Sequence, residues 1–397
     1  MNRYKEITIY PFSSSAQGGR SLLCFHGQYY EANGPVVELL EELQQHATEE
    51  AAISAYIQKK GCKYTMEQVR QVIDKFFAPM FKDKMRAHSF LYERQLLGAS
   101  SVDAFSDRFR FLFNPVYMCI ILGVALALDI WFFFMTPDLL LFNNTVDLYM
   151  VVALLVFLLA SSFFHELGHA SACKYFGVRH GGIGFGLYLN FPVLYTDVTE
   201  VWKLNRTQRC VVNLAGVYFQ CYWLIILLVV FFLSGNDMVR YLILVMNLGF
   251  GMTLNPFFRF DGYWMASDLL GVPNLRQRSW EVVEYTWRRL CRRPTGKKPC
   301  LLQIRTAEKY GMLFYSVVVN FFMGFYFLYV IPLFLYRFVY TFPDEMNELI
   351  LYLSNRMAPP FVLLRNLSAQ LVFMTLIGYL IYRLLAPFVR RKIHSGE

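Results

Sequence analysis

The chain has 397 residues and is 56% hydrophobic and 18% aromatic but only 17% charged, which excludes an ordinary soluble globular protein and an intrinsically disordered one. Several apolar runs reach the roughly 20 residues that a helix needs to cross the hydrocarbon core and lack the alternation of a β-barrel, so the fold class is a polytopic α-helical membrane protein. The formal net charge of +9 falls largely in loops flanking apolar segments, where it orients the chain in the lipid bilayer and calls for no nucleic-acid partner.

Residues 1–90 have a soluble composition and read as a small winged-helix-like cytoplasmic domain. Leu22–His26 and Gln28–Ala32 are predicted strands. A helix from Pro35 to about Gln45 follows, with Val36, Leu39, Leu40 and Leu43 on one face. A second runs from about Glu49 to Lys60, with Ala52, Ile53, Ala55, Tyr56 and Ile57 available for a core. A third follows Thr65, which has capping-box spacing to Gln68, and carries Val69, Val72, Ile73, Phe76 and Phe77. The first 30 residues have no charged start leading into an apolar core, so no cleavable signal peptide is expected.

The pattern of this domain, and the stretch from Gln28 to Leu43 in particular, resembles the PqqD-like domains that recognise leader peptides of ribosomally made, modified peptides. The resemblance implies that an extended leader segment adds to the sheet edge beside a helix. A winged-helix fold with an unrelated docking role is the other reading.

Residues 91–114 read as a linker, and six spans are expected after it: Pro115–Met135, Leu148–Phe164, Val211–Ser234, Tyr241–Phe258, Gly311–Tyr336 and Ala369–Phe388. Asp138 and Asp147 mark the first connector as external, whereas Lys174, Arg179, Lys203, Arg206 and Arg209 mark the second as internal. Residues 115–270 form the expected core, 271–309 a basic cytoplasmic loop and 310–397 the C-terminal spans and tail. From Asp268 to Lys309 there are ten basic residues against four acidic ones, and Arg390, Arg391 and Lys392 end the chain in the same way. Six spans place both termini in the cytoplasm of a multi-pass cell-membrane protein. The eight cysteines include no CxxC pair and read as reduced thiols.

At the inner end of the second span the sequence reads Phe164-His165-Glu166-Leu167-Gly168-His169, an HExxH. Positions i and i+4 share a helix face, so both imidazoles can reach one zinc ion while Glu166 stands beside its water as general base. Two histidines and a glutamate at the end of an apolar helix cost several kcal/mol in lipid unless they meet a polar cavity or a metal. A catalytic zinc needs a third protein ligand. Asp261 is the first candidate, because it follows a helix break at Asn255-Pro256 on the same side of the membrane; Asp197 is the second, and His180 is a further residue able to ligate.

HExxH near the end of one span, followed by an Asn-Pro and Asp-Gly segment, resembles the site-2 protease family of intramembrane zinc metalloproteases over residues 148–270. The resemblance implies His165, His169 and Asp261 as zinc ligands, Glu166 as general base, and Asn255 as a residue that steadies the substrate or the oxyanion. Two departures stand out. Many members carry Ala-Gly-Pro in the third span where this chain has Leu214-Ala215-Gly216-Val217, and no insertion is long enough for a PDZ domain. With Phe260-Asp261-Gly262-Tyr263-Trp264 and a leader-binding-like domain, the chain looks more like the members associated with maturation or export of small peptides.

Between motif and third span, residues 181–192 alternate glycine with large apolar residues and predict a strand pair dipping against the membrane, available to pair with an extended substrate. The expected function is a membrane-embedded zinc metalloprotease that acts on a leader-bearing peptide, with peptide-export or modification proteins as partners. Cleavage of a membrane-anchored regulator and a non-catalytic subunit of a peptide exporter are the alternatives.

Overall fold

The computed structural model describes residues 3–14, 19–81, 92–136, 139, 148–188, 191–294 and 299–394. The connector aspartates Asp138 and Asp147, and Asn190, Lys297 and Lys298, lie outside the described residues.

The N-terminal domain opens with three strands, β1 (Thr8–Phe12), β2 (Arg20–Phe25) and β3 (Gln28–Asn33), in an antiparallel sheet of that order. β1 is not among the expected strands, and it carries Pro11, a residue that disfavours a central strand. Proline is tolerated on an edge, and Pro11 sits there, opposite Ser21. Three helices follow: α1 (Gly34–Gln45), α2 (Glu49–Lys59) and α3 (Met66–Phe76), then a single turn, α4 (Ala78–Phe81). The Asn33 side chain accepts from the Val36 amide at the start of α1, and Thr65 and Gln68 make both hydrogen bonds of the capping box that starts α3. Leu23, Leu39, Leu40, Leu43, Ile53 and Phe77 form the core. Val72, expected on the apolar face of α3, is exposed instead.

The stretch expected as a linker carries secondary structure from Tyr92 onward. It holds β4 (Tyr92–Leu97), α5 (Ala99–Phe109) and a 3₁₀ turn (Arg110–Phe113). Val102 and Phe113 are buried in a core shared with the second and third long helices, which ties this stretch down. After α6 (Pro115–Met135) and α7 (Leu148–Tyr175) come β5 (Ile183–Tyr188) and β6 (Phe191–Thr196), in a sheet of order β4-β5-β6. The glycines of this region serve close approach. A Cβ at Gly182 would strike the Leu97 carbonyl, and one at Gly184 would enter the ring of Tyr195.

A 3₁₀ turn (Thr199–Lys203) leads to α8 (Arg206–Ser234), α9 (Asp237–Thr253), α10 (Asp261–Leu270) and α11 (Leu275–Leu290). The basic segment expected as a loop is therefore helical along α11. The chain ends in α12 (Thr306–Phe325), a π-turn (Tyr326–Val330), α13 (Ile331–Ser354) and α14 (Phe361–His394). Residues up to Phe314 belong to one compact unit apart from two short stretches, and those from Tyr315 onward to a second.

Among the described residues, five helical segments are long and apolar enough to cross a membrane: Pro115–Met135, Val151–Tyr175, Arg206–Ser234, Thr306–Ser354 and Phe361–Tyr379. The expected fourth span differs. α9 has 17 residues, about 25 Å at the α-helical rise, against a hydrocarbon core of about 30 Å. It stops at Thr253 because Pro256 biases the chain before it away from helix. The expected fifth span is part of the continuous helical run Thr306–Ser354.

Candidate metal centre

α7 and α8 pack so closely that a Cβ on Gly168 would run into the Ala215 carbonyl. This places the HExxH turn directly against α8. His165 lies over Gly216, where a Cβ would collide with the imidazole ring. The Ala215-Gly216 pair thus makes room first for the helix and then for the ring.

The third group arrives from the break after α9. The Asn255 Oδ1 accepts from the Phe257 amide at 2.8 Å and shapes the turn, and Phe260 is extended just before α10. Gly262 packs onto the backbone of Leu254, where a Cβ would clash with both the carbonyl and the Cα. That approach folds the segment back on itself and brings Asp261, in the first turn of α10, to the two histidines. A helix N-terminus also favours a carboxylate at that position.

His165 Nε2, His169 Nε2 and Asp261 Oδ2 meet at one point. The His165–Asp261 distance is 2.9 Å, His165–His169 is 3.1 Å and His169–Asp261 is 3.3 Å. The other ring nitrogens settle the tautomers. His169 Nδ1 lies 2.7 Å from the Val212 carbonyl oxygen, to which it must donate. His165 Nδ1 lies 3.1 Å from Gln220 Oε1, and Gln220 donates its Nε2 to Ser161 Oγ at 2.8 Å, so His165 Nδ1 is also a donor. With Nδ1 protonated on each ring, both Nε2 lone pairs face the carboxylate, an arrangement that could hold a shared cation.

The donor set fits zinc. Tetrahedral ligands with bonds of about 2.0 Å sit about 3.3 Å apart, and the three observed separations are close to that. Two imidazoles and one carboxylate also leave a fourth position for water or substrate.

Glu166 is 8% exposed, and its carboxylate accepts no hydrogen bond from the described residues. The hydroxyl of Thr196 donates to the Glu166 carbonyl at 3.2 Å, which places the end of β6 beside it. Asn255, with Oδ1 used in the turn, retains Nδ2 as a donor among the described residues. Asp197 is not at the centre. Its Oδ1 accepts from the Thr199 amide at 3.0 Å and from the Thr199 hydroxyl, capping the 3₁₀ turn. His180 contacts Ser106 at 3.0 Å and Asp103 at 3.3 Å, apart from the His165–His169–Asp261 cluster. Sequence reasoning missed Gln220, Val212 and Gly216. A polar glutamine inside an apolar span was the signal available for the first.

Fold and site together define a helical membrane protein with a candidate centre of two imidazoles and a carboxylate. The chain is similar to the protein named "Putative peptide zinc metalloprotease protein YydH" of Bacillus subtilis (strain 168), with 30% identity over 70 residues. The match spans 17% of this chain and 28% of that relative. No family model and no solved structure matches the chain.

Proposed function

We propose that the protein is a zinc metalloprotease of the site-2 type, cleaving a peptide bond near the cytoplasmic face of the cell membrane. The observation that carries this reading is the triangle of acceptors beside the buried Glu166, whose carboxylate accepts no hydrogen bond from the described residues. His165, His169 and Asp261 would hold the zinc, which would supply Lewis acidity to a water and to the scissile carbonyl. Glu166 takes the proton of the attacking water on its carboxylate and returns it to the leaving amide nitrogen. The Nδ2 of Asn255 donates to the substrate.

An extended substrate pairs with the edge of β6, which leads to Thr196 and so to Glu166. A leader-bearing peptide is the substrate class, delivered by the N-terminal domain through the β3 edge beside α1, and the role is maturation or export of a small peptide. A closed structural zinc site has no use for a neighbouring general base, so Glu166 argues against the non-catalytic exporter subunit.

The test is mass spectrometry of small peptides from cells expressing the wild type or Glu166→Gln. The proposal expects one uncut precursor to accumulate in the mutant while zinc stays bound. Cleavage at the wild-type rate in Glu166→Gln would refute it.

A further inference from the structure

We propose that Arg209, Asn213 and Asp268 are positioning residues for the Asp261 carboxylate and link its placement to the docking of the N-terminal domain. The inference rests on the metalloprotease reading of the His165–His169–Asp261 centre.

Two matched steps of seven residues carry it. On α10, Asp261 and Asp268 are seven apart, about 20° short of two full turns, so they share a face about 10.5 Å apart. On α8, Arg209 and Asn213 stand seven residues before Gly216 and Gln220, which receive His165. Arg209 Nε donates to Asp268 Oδ1 at 2.6 Å, and Asn213 Nδ2 donates to Asp268 Oδ2 at 2.9 Å. Both carboxylate oxygens of Asp268 are thereby fixed to α8. One stripe of α8 thus holds the histidine side of the centre at one end and the helix bearing its carboxylate ligand at the other.

Arg209 also reaches the N-terminal domain. Its Nη2 donates to the Ser13 carbonyl at 3.3 Å, and its guanidinium lies 5.2 Å from the ring centre of Phe12 and 5.6 Å from that of Trp202. Its Nη1 donates to the Leu204 carbonyl at 2.9 Å. The three donor nitrogens therefore serve different elements, with Nε holding α10, Nη1 the approach to α8 and Nη2 the end of β1.

Burial pushes the Asp268 carboxyl above its ordinary value in spite of Arg209. A buried ion pair often gives no more stability than apolar packing would, so its contribution here is geometric.

The experiment measures zinc affinity by chelator competition on the full chain in detergent, together with the thermal melt of the metal-free protein. Asn213→Ala and Arg209→Lys should each weaken zinc binding about tenfold, as loss of outer partners of a metal site does. Phe12→Ala should weaken it by a smaller factor. Asn247→Ala, which removes a 2.9 Å interhelical hydrogen bond to Asp129 away from the stripe, should leave zinc affinity at the wild-type value.

Wild-type zinc affinity in folded Asn213→Ala and Arg209→Lys would overturn the inference, as would equal weakening by Asn247→Ala. Should Arg209→Lys fail to fold, Asn213→Ala, which leaves the ion pair intact, decides alone. Failure of the wild type to bind zinc would instead strike the metalloprotease reading.

Discussion

In the N-terminal domain Leu23, Leu40, Ile53 and Phe77 are fully enclosed, whereas along α6 and α8 Phe134 and Leu233 are each 83% exposed. The charged groups reverse the pattern. Arg70 and Glu50 pair on the exposed surface of the domain, while Glu166, His169, Arg209 and Asp268 are all buried among the long helices and α10. The domain is held together by removing apolar surface from water. Helices in lipid gain nothing from that term, so small-residue contacts such as Gly168 on Ala215, and hydrogen bonds, must hold them. An inward-facing polar group in the helical region therefore marks either a site or a joint.

The largest effect should come where both kinds of contact coincide. Gly216→Ala forces a methyl group into the His165 ring and should abolish zinc binding, measured as metal content of the purified protein; full zinc would show that the ring has room to move. Next, Leu40→Ala should destabilise the N-terminal domain by roughly 2–5 kcal/mol in thermal or denaturant unfolding, as for other enclosed leucines. Gln220→Ala removes the acceptor of His165 Nδ1 and should weaken zinc about tenfold in chelator competition. The smallest change belongs to Leu233→Ala on the exposed face of α8, where the melt should shift by less than about 0.5 kcal/mol. A large loss there would break the contrast, because it would mean that the outer face is packed.

The two regions were also unequally legible. The three helices of the domain follow from their caps and apolar faces, since Asn33, Thr48 and Thr65 each cap locally. Val72 misled because the exposed side of α3 adjoins its apolar face. β4 was hidden because Tyr92–Leu97 is a mostly exposed strand whose order comes from its sheet neighbours, not from its own apolar pattern.

At the centre, HExxH was legible because two histidines on one face require that spacing, and Asp261 because Pro256 places a break before it. Gly216, Val212 and Gln220 were not. Their roles depend on which face of α8 meets α7, and within an apolar run the sequence carries no periodic signal for that choice. Arg209 read as a topology signal at the end of a span. Its buried contacts to Asp268 and Ser13 come from residues 59 and 196 positions away, beyond any local pattern.

The most direct test is metal analysis of the purified full chain combined with X-ray absorption at the zinc edge, for the wild type and Asp261→Ala. The account predicts one zinc per chain with two imidazole nitrogens and a carboxylate oxygen in the wild type, and a large loss of zinc in Asp261→Ala. Full zinc occupancy in Asp261→Ala, or a wild-type spectrum dominated by sulfur, would contradict it.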